Sequence, residues 1–217
     1  MARIRPKNID LIKKLSDFHK SYFTLSDLEK VLSLKRESLY VTLNRLVKSG
    51  MLVRLTKNIY SLFTDPLDIE KIANELYFPS YLSFEQALSQ YSILSQIPYT
   101  VTFATTRPTR KMSIANVAVE YSHIKKELFF GYALKNGRCI AEKEKALLDQ
   151  LYMVSMGKRV IDIEELDLKD INKEKLMEYA KKFPVFIAPL LNQIKKYIGT
   201  TPVTLEGKER ITWDRAA

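Results

Sequence analysis

Between Lys35 and Lys57 the chain gathers side chains suited to phosphate and to the edges of bases. Lys35, Arg36, Arg45, Lys48, Arg54 and Lys57 bring cations, while Ser38, Tyr40 and Asn44 bring hydrogen-bonding groups. At about 100° per residue, Val41, Asn44, Arg45 and Lys48 share one side of a helix, and Leu39, Leu43, Leu46 and Val47 share the other. Ser38, Asn44 and Arg45 are placed to reach base edges or phosphates, and Arg54 and Lys57 to reach phosphates. The Tyr40 ring either stacks on a sugar or covers the helix edge. A second cationic cluster, Arg107, Arg110 and Lys111 around Pro108, is either a clamp for phosphate or a partner, or an ordinary exposed turn.

Other chemistries find little support. His19 and His123 have no metal-ligand spacing with Cys139. His19 is expected to pack on the apolar side of the first helix, and His123 to play a structural or surface part in a strand. No Gly-rich phosphate loop and no G-x-S-x-G turn occurs. A restriction-type nuclease would want E-x-K on a strand; Glu142-Lys143-Glu144 gives E-x-E and reads as the acidic first turn of a helix. Asp162, Glu164, Glu165, Asp167 and Asp170 are spaced as a solvated acidic loop, though such a run can also bind Mg²⁺. The chain is therefore read as a non-enzyme, with no catalytic residue, cofactor or metal assigned.

The elements that must position the cationic side chains can be read around them. Asn8 to Lys20 has a broad apolar stripe for a first helix, and Thr24 or Ser26 can cap a second through Leu32, burying Leu25, Leu28, Val31 and Leu32. Ser33 to Arg36 is a turn, the reading helix follows, and Gly50 ends it. Met51 to Leu55 and Ile59 to Phe63 read as two strands joined at Thr56-Lys57-Asn58. Helix, helix, turn, helix and hairpin is the order of a winged helix-turn-helix, with the third helix in a DNA major groove and the hairpin along the phosphates. Amphipathic helices alone occur in any small helical domain; the Gly50 exit into a hairpin is the more specific sign.

Charge agrees with that placement. Residues 1–65 hold 13 Lys and Arg against six Asp and Glu, a net of +7 out of +10 for the whole chain. Basic charge suits phosphate through counterion release, but also suits other polyanions. The 217 residues suffice for one small and one medium domain, and a hydrophobic share of 46% argues for folded rather than disordered chain. A single cysteine excludes an internal disulfide and suits a reducing compartment. The N-terminus lacks the apolar run of a signal peptide, and Phe183 to Leu191, with two prolines, is too short to span a bilayer and suits a buried helix start. A cytoplasmic protein without membrane contact is expected.

Beyond the hairpin, Pro66 is expected to open a helix through Tyr77, and Ser83-Phe84-Glu85-Gln86 to form a capping box for another through Tyr91. Tyr99 to Thr105, Val117 to Ile124 and Glu127 to Ala133 read as strands, and Asn136-Gly137 as a hairpin turn before Arg138 to Ala141. Glu142 to Met153, Asn172 to Lys182 and Val185 to Ile198 read as helices; the tail from Thr200, with Trp213, is either a hairpin or a loose end. The fold class expected is α+β: a winged helix-turn-helix over residues 1–65, then a mixed α/β part over 66–155, and a mainly helical part and tail over 156–217.

The middle of the chain resembles the AbiEi-like antitoxins and their regulator relatives. The landmarks are Tyr81 and Ser83, Thr105-Thr106-Arg107, His123-Ile124 with Phe130-Gly131-Tyr132, and Glu144-Lys145-Ala146-Leu147-Leu148-Asp149, in the family's order; Glu142-Lys143 departs where a proline is common. The resemblance spans about residues 10 to 155 and implies a cytoplasmic repressor of its own operon. It further implies that residues 66–217 form an antitoxin or regulatory domain that counteracts a nucleotidyltransferase-like toxin of a type IV system, functionally rather than necessarily by direct binding. Double-stranded operator DNA, as inverted repeats, is the partner it implies for the first domain. Two other readings remain open from the residues: a stand-alone winged-helix regulator with a ligand- or protein-sensing C-terminal domain, and a DNA-binding module fused to a metal-dependent nuclease.

Overall fold

Thr24 is where the first domain takes shape. In the computed structural model, which describes residues 6–63 and 67–199, its hydroxyl accepts from the Asp27 backbone N–H at 3.2 Å while the Asp27 carboxylate accepts from the Thr24 N–H at 2.9 Å. This reciprocal cap starts helix α2 (Leu25–Leu32) and holds the Asp27 carboxyl below its usual range, chiefly through the Thr24 backbone bond. Ser33 closes α2 in a left-handed conformation (φ 50°), and helix α3 (Arg36–Lys48) follows. Helix α1 (Pro6–Ser16) precedes them, and strands β2 (Leu52–Thr56) and β3 (Ile59–Leu62) form the hairpin. A further two-residue strand, β1 (Phe23–Thr24), pairs antiparallel with β3 to give the order β1-β3-β2. It was too short to leave a period-2 signal. Leu15, Phe23, Leu28, Leu39, Leu43 and Leu46, all fully buried, centre this winged-helix core.

Helix α1 stops four residues before the expected end. The chain turns through His19, whose φ is 49°, so Phe18 (50% exposed) and His19 face solvent and neither joins a buried stripe. The packed role read for His19 is thereby corrected.

The second sheet has the order β6-β7-β5-β4-β9-β8. Helix α4 (Ile69–Leu76) leads into strand β4 (Ser80–Leu82), then helix α5 (Phe84–Gln90) and strand β5 (Thr100–Thr105). Strands β6 (Arg110–Ile114) and β7 (Val117–His123) form one hairpin, and β8 (Tyr132–Lys135) and β9 (Arg138–Ala141) the other. Asn136 and Gly137, both at positive φ, make the second turn as their types demand. β5 runs parallel to β7 and β4 parallel to β9, while β4/β5, β6/β7 and β8/β9 are antiparallel. Helix α6 (Lys143–Ser155) is buried along most of its length, and α7 (Lys173–Ala180) and α8 (Ala188–Ile194) complete the fold.

Several sequence expectations shift here. The proposed opening of a helix by Pro66 lies outside the described residues; α4 begins at Ile69, capped by the Asp68 side chain on the Lys71 N–H at 2.9 Å. Ser83 makes no capping bond, because its hydroxyl is taken by Asp149. The strand expected from Glu127 to Ala133 is instead a 3-10 turn (Lys126–Leu128) that tucks Leu128 into the core, with pairing resuming only at Tyr132. Arg110 and Lys111 belong to a strand rather than a turn. The apolar run from Phe183 to Leu191 is only partly buried: Phe183, Ile187 and Leu191 are inside, Val185 and Phe186 face solvent, and a 3-10 turn (Val185–Ile187) precedes α8. The tail with Trp213 lies outside the described residues. No helix among the described residues is long and apolar enough to cross a membrane.

The two cores meet at the hairpin. Leu55 packs with the second cluster rather than the first, and its carbonyl accepts from the Ala115 N–H at 2.8 Å. A bulge between Arg54 and Thr56 breaks the alternation of β2 there.

Candidate nucleic-acid interface

Helix α3 has two unlike sides. Leu39, Leu43 and Leu46 are fully buried, whereas Lys35, Arg36, Ser38, Tyr40, Val41, Asn44, Arg45 and Lys48 are exposed, Val41 to 69%. Spacing by three and four residues sets Val41, Asn44, Arg45 and Lys48 side by side on the helix surface. Gly50, at φ 72°, turns the chain from α3 straight into β2, so the hairpin stands beside the helix. Arg54 and Lys57, on and at the tip of that hairpin, are exposed as well. Asn58 takes the left-handed position of the turn, and its carbonyl accepts from the Leu25 N–H at 2.9 Å, tying the tip to the start of α2.

Among the described residues, none of Lys35, Arg36, Arg45, Lys48, Arg54 and Lys57 enters an ion pair or a side-chain hydrogen bond. Six cations without carboxylate partners among the described residues, against the single acidic Glu37 in the same stretch, give this helix and its hairpin a net positive field. The only ion pair of this domain among those residues, Lys20 with Asp27 at 3.4 Å, lies away at the α2 cap.

Residues 10–62 match the family model described as a transcriptional regulator, AbiEi antitoxin. The matched AbiEi stretch begins inside α1 and ends at the last residue of β3, so it takes in α3 and the whole hairpin. No curated protein matches the chain. The middle landmarks, Tyr81 to Asp149, lie beyond the matched AbiEi residues.

Those landmarks nevertheless converge in space. Tyr81 and Ser83, from β4 and its exit, meet Lys145 and Asp149 of α6, and all four are essentially inaccessible to solvent. The Tyr81 hydroxyl donates to Asp149 Oδ2 at 2.8 Å, Ser83 Oγ donates to the same oxygen at 2.9 Å, and Lys145 Nζ donates to the Tyr81 hydroxyl at 2.7 Å and pairs with Asp149 Oδ1. The ammonium also faces the rings of Tyr81, Phe130 and Phe183 at 5.1–5.3 Å. Burial pushes the Lys145 ammonium below its ordinary value, against the pull of Asp149, and pushes the Tyr81 phenol well up. Gly131 sits close against the network at a φ of 67°, where a Cβ would lie 3.1 Å from both Lys145 Cγ and the Tyr179 ring, a tight contact. Sequence reasoning missed this network. The available signal was the i, i+4 spacing of Lys145 and Asp149 around the apolar run Ala146-Leu147-Leu148.

The second cationic cluster divides. Arg107 and Arg110 face Tyr77, their guanidinium carbons 4.0 and 5.5 Å from its ring centroid. Lys111 projects from the opposite face of the same strand and pairs with Glu120 at 3.0 Å. His123 is exposed at the end of β7, with Nδ1 3.1 Å from the Arg107 carbonyl. The acidic run stays a loop: Asp167 binds Lys169 at 3.0 Å, and no three His, Cys, Asp or Glu among the described residues gather as a metal site would require.

Proposed function

We propose that this protein is a sequence-specific DNA-binding repressor that reads its operator with α3, clamps phosphates with Arg54 and Lys57, and serves as the antitoxin of a type IV toxin–antitoxin pair. The observation that carries the reading is the exposed, unpartnered cationic face of α3 and its hairpin, inside the stretch matched to AbiEi regulators. Lys35, Arg36 and Lys48 flank the helix as phosphate contacts, and Ser38, Tyr40, Val41, Asn44 and Arg45 occupy the positions nearest the groove. Residues 1–65 then form the DNA-binding domain and 66–217 the antitoxin domain, which opposes a nucleotidyltransferase-like toxin without having to bind it. An operator of inverted repeats and repression of the protein's own operon complete the proposal.

The test separates the two roles in the full chain. Arg45→Ala is expected to relieve repression of a reporter driven by the protein's own promoter. Expressed from an unrelated promoter together with the nucleotidyltransferase-like toxin that this proposal requires, the same variant should still rescue growth. If Arg45→Ala abolishes rescue under that foreign promoter, the division of roles is wrong.

A further inference from the structure

We propose that the rim where β5 and β7 end is a second nucleic-acid site, shaped for a single strand rather than a duplex. The two strands run parallel with Thr105 opposite His123, so they finish at one edge of the sheet, where β4 and β6 begin. That edge collects Phe78, Arg107, Arg110, His123 and Lys125, all exposed, Phe78 to 67%. Open α/β sheets commonly bind ligands beyond the carboxyl ends of their parallel strands.

The rim is held in place before any ligand arrives. Arg107 Nη1 donates to the Phe78 carbonyl at 3.1 Å, and the Tyr77 hydroxyl donates to the Pro108 carbonyl at 2.9 Å. Thr105 Oγ1 donates to the Pro79 carbonyl at 2.7 Å and accepts from the Arg107 N–H at 3.1 Å. Thr109 Oγ1 accepts from the His123 N–H at 3.1 Å. Among the described residues, Arg107, Arg110 and Lys125 have no carboxylate partner. Lys111, the next residue in β6, is instead neutralised on the other face by Glu120.

Cations without carboxylates call for an anion, and the flat groups beside them narrow the kind. The Arg107 guanidinium lies over the Tyr77 ring, and Phe78, whose carbonyl Arg107 holds, leaves its own ring open to solvent. A base can stack on such surfaces only when it is not already stacked and paired in a duplex. Phosphodiester charge plus an unstacked base is the chemistry that uses both features. The site is independent of the α3 reading, and the two can fail separately.

The experiment measures binding of the full chain to a short labelled single-stranded RNA, to single-stranded DNA of the same sequence, and to that DNA as a duplex. Arg45→Ala serves as background to weaken the duplex site. The single strand should bind more tightly than the duplex or heparin in that background, and the tighter of RNA and DNA names the sugar. Arg110→Glu with Lys125→Glu, whose native side chains donate no hydrogen bond among the described residues, should make the salt slope for the single strand shallower by about 1.4, at about 0.7 per phosphate contact. Phe78→Leu should weaken the strand by about fivefold or more while leaving its salt slope unchanged. Equal or tighter binding of duplex or heparin in the Arg45→Ala background overturns the proposal. So does single-strand binding that neither variant alters.

Discussion

Helices α3 and α6 are both 13 residues long and both carry charge, yet they dispose of it in opposite ways. α3 buries only leucines and sends Arg36, Arg45 and Lys48 into solvent without partners. α6 buries Glu144, Lys145, Asp149 and Gln150, and satisfies Lys145 and Asp149 with each other, Tyr81 and Ser83. An exposed cation keeps its water and costs the fold almost nothing, so it remains available to a ligand. A buried one must be paired within the fold, and thereafter it has no capacity to offer. The comparison teaches that position, not residue type, separates the charges left free for a ligand from the charges paired inside the fold.

The largest effect should come from unbalancing α6. Asp149→Ala leaves the Lys145 ammonium buried without its carboxylate, and is expected to cost about 3–5 kcal/mol in urea unfolding of the full chain. Replacing the pair together, Lys145→Met with Asp149→Leu, should recover much of that loss, because no orphaned charge remains. A double variant as unstable as Asp149→Ala would mean the network contributes more than charge balance.

Breaking α3 should leave stability alone and alter recognition. Arg45→Ala and Asn44→Ala are each expected to cost about 1–3 kcal/mol of affinity for promoter DNA while the unfolding midpoint stays put. Unchanged affinity in both would remove α3 as the reader.

Acid provides a milder break of the paired region. Burial pushes the Glu120 carboxyl up, but hydrogen bonds from Lys111 and Ser122 and the charge of Arg159 together hold it below its ordinary range. A carboxylate lowered by folding stabilises above the unfolded value, about 4.3, and loses that contribution as pH falls through the folded value. Stability should therefore fall more steeply below that point in wild type than in Glu120→Gln. Parallel acid limbs in the two proteins would sink the assignment.

The first domain was legible because its signals are local. Thr24 as a cap, the apolar spacing of Leu39, Leu43 and Leu46, and the Gly50 exit all act within a few residues. The Asn136-Gly137 turn was legible for the same reason. What escaped depends on contacts across long sequence distance. Ser83 looks like a helix cap in sequence, and only the arrival of Asp149, 66 residues later, makes its hydroxyl a donor into the core. Likewise Arg107, Arg110 and Lys111 read as one cluster, until β-strand alternation and Glu120 draw Lys111 to the other face. Glu127 to Ala133 reads as extended, but Phe129 and Phe130 pack against Tyr81 and Tyr179, partners about 50 residues away in either direction.

The central claim is that the unpaired cations of α3 and the hairpin are the DNA interface and the paired cations are not. It is tested most directly by the salt dependence of binding to duplex promoter DNA. Lys48→Gln and Lys57→Gln should each make the plot of log affinity against log salt shallower by about 0.9, while Lys169→Gln and Lys175→Gln, whose partners are Asp167 and Glu142, should leave the slope as it is. Slopes unchanged by the first pair of variants, or lowered as much by the second, would contradict the account.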